Sequence, residues 1–472
     1  MAGATDDGRG TGRAVGALLR LLGHHQFRLL WTGMTVSLVG DGVFLVALAW
    51  QVYAVSNVPT ALSAVMLAMS IPHVLLLLVG GVVSDRFDRR KVMLAADLVR
   101  GAALLALAVL SLSGAIGVWP VAALAVAYGA GTAFFGPAFD AVVPEIVPAD
   151  LLVEANSLDQ FVRPAALRLA GPALGGAVVA ALGPGWAFAL DAATFGVSVW
   201  ALLLMVRRGS GGRKSEAPTP AAGAHLEPSG SPPANRGPDH EWQPGGSALG
   251  EMLEGFRFVR RHVWLWGTFL SATIAYLLFL GPSEVLLAFV VKNDLGGGAG
   301  DLGVVYAMGG LGAIGAAAVM AWRGEVRRFM TFIFVTWAVA TFAVAGYGLA
   351  TRRWHLVAAA LAFNALETAG TVVWATAKHR LVPLNLLGRV ASFDWFISIA
   401  LLPLSYGLTG PVAGVLGART TLVGAGLLGG TVTLAFLFLP GLRAVERHPP
   451  TVAAAAGPPL DALSGGTAGR PG

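Results

Sequence analysis

The sequence predicts an all-α membrane protein with twelve transmembrane helices in two pseudo-symmetric halves of six, and three observations predict it. The 472-residue chain is 56% hydrophobic and only 12% charged, with a mean hydropathy of +0.70. Water-soluble domains cannot bury so much apolar surface, so lipid must cover much of it. Apolar runs of about 20 residues, the length that crosses a hydrocarbon core of about 30 Å as helix, recur twelve times. The second half of the chain also repeats features of the first.

Taken in order, the first six runs cover approximately residues 27–53, 61–83, 92–112, 118–139, 161–182 and 186–206. The last six cover approximately 264–291, 302–322, 329–350, 354–377, 390–416 and 420–439. An even number puts both termini on one side. Residues 1–26 are read as a cytoplasmic segment; they lack the short apolar core and small-residue cleavage site of a signal peptide. The halves are then 27–206 and 264–440. Between them, 207–263 opens as a Pro-, Gly-, Ser- and Ala-rich linker too poor in large apolar residues to form a core. It closes on an amphipathic run near 247–262, with Leu249, Met252, Leu253, Phe256 and Val259 on one face and Glu251, Glu254, Arg257, Arg260 and Arg261 off it. That pattern predicts a helix lying on the cytoplasmic membrane surface. The Ala-, Gly- and Pro-rich tail, 441–472, reads as disordered.

Loop charge sets the orientation. Alternate loops are either rich in Lys and Arg (Arg86 to Lys91, Arg207 to Lys214, Arg323 to Arg328, Lys378 to Arg389) or nearly bare. The basic set belongs in the cytoplasm. Lys292, Arg352, Arg353 and Arg419 fall on the other side, the adjacent pair Arg352 and Arg353 being a local contradiction. The basic sequence pI near 10.0 therefore reports membrane orientation, and no nucleic-acid patch is present.

The repeat is specific. Val147-Pro148, Leu151-Leu152, Ser157 and Asp159 return as Val382-Pro383, Leu386-Leu387, Ser392 and Asp394, at an offset of 235 residues. One helix later, Gly171-Pro172 and Gly175 are answered by Gly410-Pro411 and Gly414, at an offset of 239. Two similar six-helix halves follow.

Several chemistries drop out. The absence of cysteine removes disulfides, thiolate metal sites and cysteine nucleophiles. There is no phosphate-binding Gly-x-x-x-x-Gly-Lys-Ser/Thr loop, no metal-ligand spacing and no nucleophile with a base, so the sequence predicts neither an enzyme nor a bound cofactor or metal. Energy must come from a gradient.

Ionisable residues inside apolar runs are expensive and invite functional readings. Asp41 lies near the middle of the first run with no opposite charge in helical reach along the sequence, which suits reversible protonation; the bland alternative is a hydrogen bond that locks helices. Glu367 shares a stripe with Asn364, Thr368 and Thr371, a polar face fit to line a cavity. His73, after Pro72, titrates near neutral pH in water but a lone histidine is more often structural. Asp97 and Arg100, three apart on one helix face, neutralise each other. Asp191 and Glu284 lie toward the outer halves of their helices and either could belong to an outer gate.

The loop after the second run carries Gly81, Asp85, Arg86, Arg89 and Arg90. It resembles the Gly-x-x-x-Asp-Arg-x-Gly-Arg-Arg signature of the major facilitator superfamily, with Asp88 where that family usually has glycine. The equivalent second-half loop keeps Arg327 and Arg328 but has Arg323 in place of the acid. Within the family, Gly171-Pro172-Ala173-Leu174-Gly175-Gly176 is similar to a signature of exporters that exchange substrate for protons; ordinary small-residue packing is the plain alternative. The fourth run lacks the membrane arginine of many drug exporters, with Ala125 at the aligned position. Gly40-Asp41, Pro144-Glu145-Ile146-Val147-Pro148, Ala155-Asn156-Ser157 and the stretch from Glu254 to His262 are instead similar to the enterobactin-exporter and macrolide-efflux-like branch.

The resemblance implies alternating access, with Asp85 meeting the cytoplasmic start of the eleventh helix near Arg389 when the inner gate closes. It further implies a monomer in the plasma membrane that exports a hydrophobic molecule, such as a drug, antibiotic or siderophore, against protons. The alternatives are a proton symporter importing a nutrient, or a non-transporting receptor or lipid-flipping protein.

Overall fold

A computed structural model describes residues 20–148, 151–205 and 248–447. The whole 207–246 linker and the tail beyond 447 lie outside the described residues. The described chain is helical throughout. The first half comprises His25–Val55, Pro59–Arg86, Arg89–Leu112, Val118–Ile146, a fifth helix that runs from Leu152 to Leu182, and Pro184–Leu204. The second comprises Val263–Phe289 continued to Asp294, Ala299–Arg323, Phe329–Leu349, Arg353–Leu381, an eleventh helix broken at Leu401, and Ala418–Phe436.

Eleven of these are long and apolar enough to cross a bilayer. The twelfth, Ala418–Phe436, is 19 residues long and is made less apolar by Arg419 and its glycines. Several helices outrun their apolar stretches. The fourth continues to Ile146, and the fifth starts at Leu152, nine residues before the apolar run. These amphipathic ends project from the bilayer on the basic-loop side and pack on each other, with Val142, Val143, Val147, Leu151 and Ala155 in one buried cluster.

The amphipathic run is helical over Ala248–Arg261, but its docking differs from a simple surface helix. Val259 is buried among Trp264, Leu265, Met330 and Val390 of the second half, the Phe256 ring lies 6.2 Å from that of Phe393, and Gly255 abuts the Arg389 side chain. Protein, as well as lipid, covers its apolar face. The start of the tail also departs from expectation. Leu442 is fully buried, and Glu446 accepts a hydrogen bond from the Thr331 amide at 2.9 Å, capping the ninth helix.

Among the described residues, the hydrogen bonds between the halves gather on one face. Tyr53 donates to the Val285 carbonyl at 2.8 Å, Asn57 to Asn293 at 2.6 Å, and Lys292 to the Tyr53 carbonyl. Ser63 donates to the Tyr406 carbonyl and accepts from the Gly410 amide at 3.0 Å. Every hydrogen bond between described residues of opposite halves lies here, on the face away from the basic loops. Glycine makes the approach possible: a Cβ on Gly176 would sit 2.8 Å from Gly303 Cα, and one on Gly410 would sit 2.6 Å from Thr60 Cα. Toward the basic loops the same helices diverge. On the second helix Leu75, Leu78 and Val82 are 68%, 60% and 52% exposed, and Trp395 on the eleventh is 67% exposed.

Two of the basic residues expected to break the orientation rule are neutralised where they stand. Arg353 pairs with Asp301 at 3.1 Å and Arg419 with Asp294 at 2.7 Å, while Arg352 is exposed.

Candidate functional site

Asp41 sits halfway along the first helix, and the fold surrounds it with groups remote in sequence. Tyr128 of the fourth helix donates its hydroxyl to Asp41 and stacks its ring on Phe44 at 4.5 Å. From the third helix, Asp97 accepts from Arg100 and, at 2.6 Å, from Ser198 of the sixth. Arg100 is held between the rings of Phe135 and Phe195, its guanidinium carbon 4.5 Å from each centroid. Gly131 leaves the space this needs, since a Cβ there would fall 2.7 Å from Arg100 Cγ. The charge of Arg100 also reaches Asp41 and Asp191.

Asp191 is the larger surprise. It is not at an outer gate: it is fully buried, one oxygen accepting from Thr194 at 3.0 Å, and it lies against Gly40, where any Cβ would overlap it. Its second oxygen has no partner among the described residues. The cluster therefore holds three carboxyl groups against one arginine in low dielectric, an excess that protons can neutralise. Asp97 with Arg100 keeps the mutual pairing expected from their spacing. The isolation of Asp41 along its own helix gives way to a shared network, because spacing on one helix says nothing of the neighbouring helices.

The second-half candidates are dispersed. Glu367 lines a small pocket with Tyr276, Phe279, Trp337 and Phe363 and accepts from Thr371 at 3.1 Å. The predicted stripe divides: Asn364 donates to its own helix at Ala360 and packs against Gly309 of the eighth helix, while Thr368 is half-buried. Glu284 accepts from Tyr406 of the eleventh helix, and Asp394 accepts from Lys378 and, at 3.0 Å, from Trp374. His73 is half-buried with no hydrogen bond to a described residue, on the helix face that brings Met69 and Gly80 to the fourth helix.

The charged loop resolves into distinct parts. Asp88 caps the third helix, accepting from the Arg90 amide at 3.1 Å with φ −57°, so the position needs no glycine. Arg89 joins Glu145 at 2.5 Å and the Ala141 carbonyl at 2.9 Å. Arg90 donates to the Leu202 and Leu203 carbonyls, closing the end of the sixth helix. Gly81 has open space around it and Arg86 is exposed. Asp85 is exposed and makes no hydrogen bond or ion pair with a described residue, while Arg389 is engaged elsewhere, its side chain against Gly255.

The glycine motif of the fifth helix packs backbone on backbone. A Cβ on Gly171 would fall 2.6 Å from Gly42 Cα, and one on Gly175 would fall 2.8 Å from Val43 Cα. Buried Pro172 adjoins Gly42, and the Pro172 carbonyl meets Gly303. In the second half Gly410 packs closely, on Thr60 and Ser63 of the second helix, but Pro411 is exposed and Gly414 faces open space.

One residue was not singled out by sequence. Arg168 lies in the middle of the fifth helix, within a π-helical turn over Ala165–Ala170, and is exposed between the halves. Its carbonyl meets Gly310 of the eighth helix so closely that a Cβ there would overlap. The signal was available: an arginine seven residues into an apolar run is as costly as the acids.

Residues 18–218 match a family model described as transmembrane secretion effector. Macrolide efflux protein A of Streptococcus pyogenes is 30% identical over 29% of this chain and 33% of that protein, so the chain spans about a third of the length of this relative. The multidrug efflux pump Tap of Mycolicibacterium fortuitum is 26% identical over 89% of the chain and 96% of the relative. A bacterial homologue of the iron transporter ferroportin, solved in an inward-facing state, superposes with a TM-score of 0.62 at 16% identity, covering 88% of this chain and 99% of that one. Its likeness is one of fold. These relatives are named as efflux proteins and a transporter homologue, and the family likeness lies in residues 18–218, the first half of the helices.

Proposed function

We propose that this chain is a secondary active transporter of the plasma membrane, both termini cytoplasmic, that exports hydrophobic small molecules such as drugs, antibiotics or siderophores in exchange for protons. The observation that carries the reading is the asymmetry between the two faces: halves hydrogen-bonded together on one, with apolar helix faces bare on the other. With the basic loops in the cytoplasm, this is an inward-open conformation of an alternating-access cycle.

In this reading Asp41 carries the coupling proton. Protonation relieves the carboxyl excess around Arg100, and deprotonation restores it, so the packing of the first, third, fourth and sixth helices senses the proton. Glu367 is a second exchangeable group in the second half; His73, turned toward the fourth helix, is the weakest candidate. Asp85 and Arg389 form the inner latch in the alternate state, where Asp85 gains the positive end of the eleventh helix dipole. The exporter direction is supported by the named efflux relatives. A monomer suffices, because both halves of the pathway are in one chain.

Everted membrane vesicles with and without the protein test this. A proton gradient should drive accumulation of the hydrophobic dye Hoechst 33342 only in vesicles that contain it, and nigericin should abolish the difference. Equal accumulation in both preparations would sink the proposal for such cargo.

A further inference from the structure

Arg168 is a cation at the depth of the bilayer midplane, with no hydrogen bond or ion pair to a described residue and with its side chain exposed between the halves. Its backbone is fixed from both sides. The Leu167 carbonyl faces Gly42 of the first helix, where a Cβ would stand 2.7 Å away, and the Arg168 carbonyl is pressed on Gly310 of the eighth. The π-helical turn that presents it is a rare form of backbone that is frequent at functional sites. The backbone that presents the guanidinium is therefore fixed, and no described residue consumes its donors.

The groups within reach of its charge belong to the other half: Glu284, which accepts from Tyr406, and Tyr276 beside the Glu367 pocket. Apolar and aromatic surface surrounds these, including Phe279 and Phe363. An arginine that spans only to diffuse acid charge across a cavity, with a planar fork of donors free, suits a bidentate anionic oxygen group.

We infer that Arg168 is an anion-binding subsite of the transport cavity, taking the carboxylate, sulfonate or phosphate of an otherwise apolar molecule, with Glu284 as the competing charge when the cavity is empty. This rests on the transporter reading above and narrows it to amphiphilic cargo with an acidic group. The same chemistry is offered by a soluble organic acid and by the headgroup of an anionic lipid.

The test is calorimetric titration of the purified full chain in dodecyl maltoside with two matched probes, anionic 8-anilinonaphthalene-1-sulfonate and neutral N-phenyl-1-naphthylamine. Arg168→Gln should weaken the sulfonate by about tenfold or more, the loss expected for a charge-assisted bond, and leave the neutral probe unchanged. Arg168→Lys should recover part of the loss. Glu284→Gln should tighten the sulfonate several-fold. Unchanged sulfonate binding in Arg168→Gln, or equal loss of both probes, would overturn the inference. Added phosphatidylglycerol that displaces the sulfonate from the wild type identifies lipid as the source of the anion; without displacement, the source is a soluble acid. Dye accumulation in vesicles reports separately, so a protein that binds the sulfonate through Arg168 but moves nothing would refute transport and keep the subsite.

Discussion

The two halves begin with the same device and end with different chemistry. In each, the first helix bears a carboxyl group that accepts from a tyrosine of another helix: Asp41 from Tyr128, Glu284 from Tyr406. In the first half that pair is drawn into a buried cluster with Asp97, Asp191 and a ring-sandwiched Arg100. In the second half Glu284, Glu367 and Asp394 stand apart, each with its own partners, beside an aromatic pocket. A repeated scaffold thus supplies one half with a compact, charge-dense cluster and one whose acidic groups stand apart beside an aromatic pocket.

The comparison is most easily broken at its charges. Arg100→Met removes the cation that faces the buried Asp97 and Asp191, and the expected cost is about 3–5 kcal/mol of stability. Lys378→Met, which frees Asp394 at 19% side-chain exposure with the Trp374 donor still present, should cost about 1–2 kcal/mol. Urea unfolding in detergent checks both. Equal losses would erase the distinction between the halves.

Glycine packing gives the next effect. Gly176→Val drives a side chain into Gly303 and should cost about 1–3 kcal/mol in the conformation described, whereas Gly414→Val meets nothing. Because the native chain has no cysteine, Asn57→Cys with Asn293→Cys reports the closed face cleanly. Cross-linking should fall several-fold on adding Gly176→Val and stay the same on adding Gly414→Val. The opposite order would mean that Gly176 is not part of the seam between the halves.

Asp85→Asn should lower transport severalfold with insertion intact; normal transport by an inserted variant removes the latch. The smallest effect belongs to Glu325, whose carboxyl Arg380 holds below its usual range by a 2.7 Å hydrogen bond and by its charge. A depressed carboxyl adds stability above its unfolded-state pKa and loses it as pH falls through the folded one. Since the group is fully exposed, Glu325→Gln should leave the melting temperature unchanged at pH 7 and pH 4.

The fold was legible because bilayer thickness fixes helix length, and because the repeat from Val147 and Val382 is a local pattern. Asp97 with Arg100 was legible for the same reason, being three apart on one helix. What the sequence did not disclose is contact between helices. The position of Asp191 along its own helix suggests an outer gate, but packing against Gly40 puts it beside Asp41. Asn364 lies on the predicted stripe, yet that stripe turns from the Glu367 pocket into the seam at Gly309. Asp88 could be judged only against a glycine-based turn, while the structure uses its carboxylate as a cap. Arg168 was passed over among acids although the same energetic rule applies to it.

The most direct test of the account is proton-driven transport by Asp41→Asn in proteoliposomes, with substrate exchange in the absence of a gradient measured on the same preparation. The account predicts that the variant still exchanges dye across the membrane but no longer accumulates it under a pH gradient. Full gradient-driven accumulation by Asp41→Asn would contradict it.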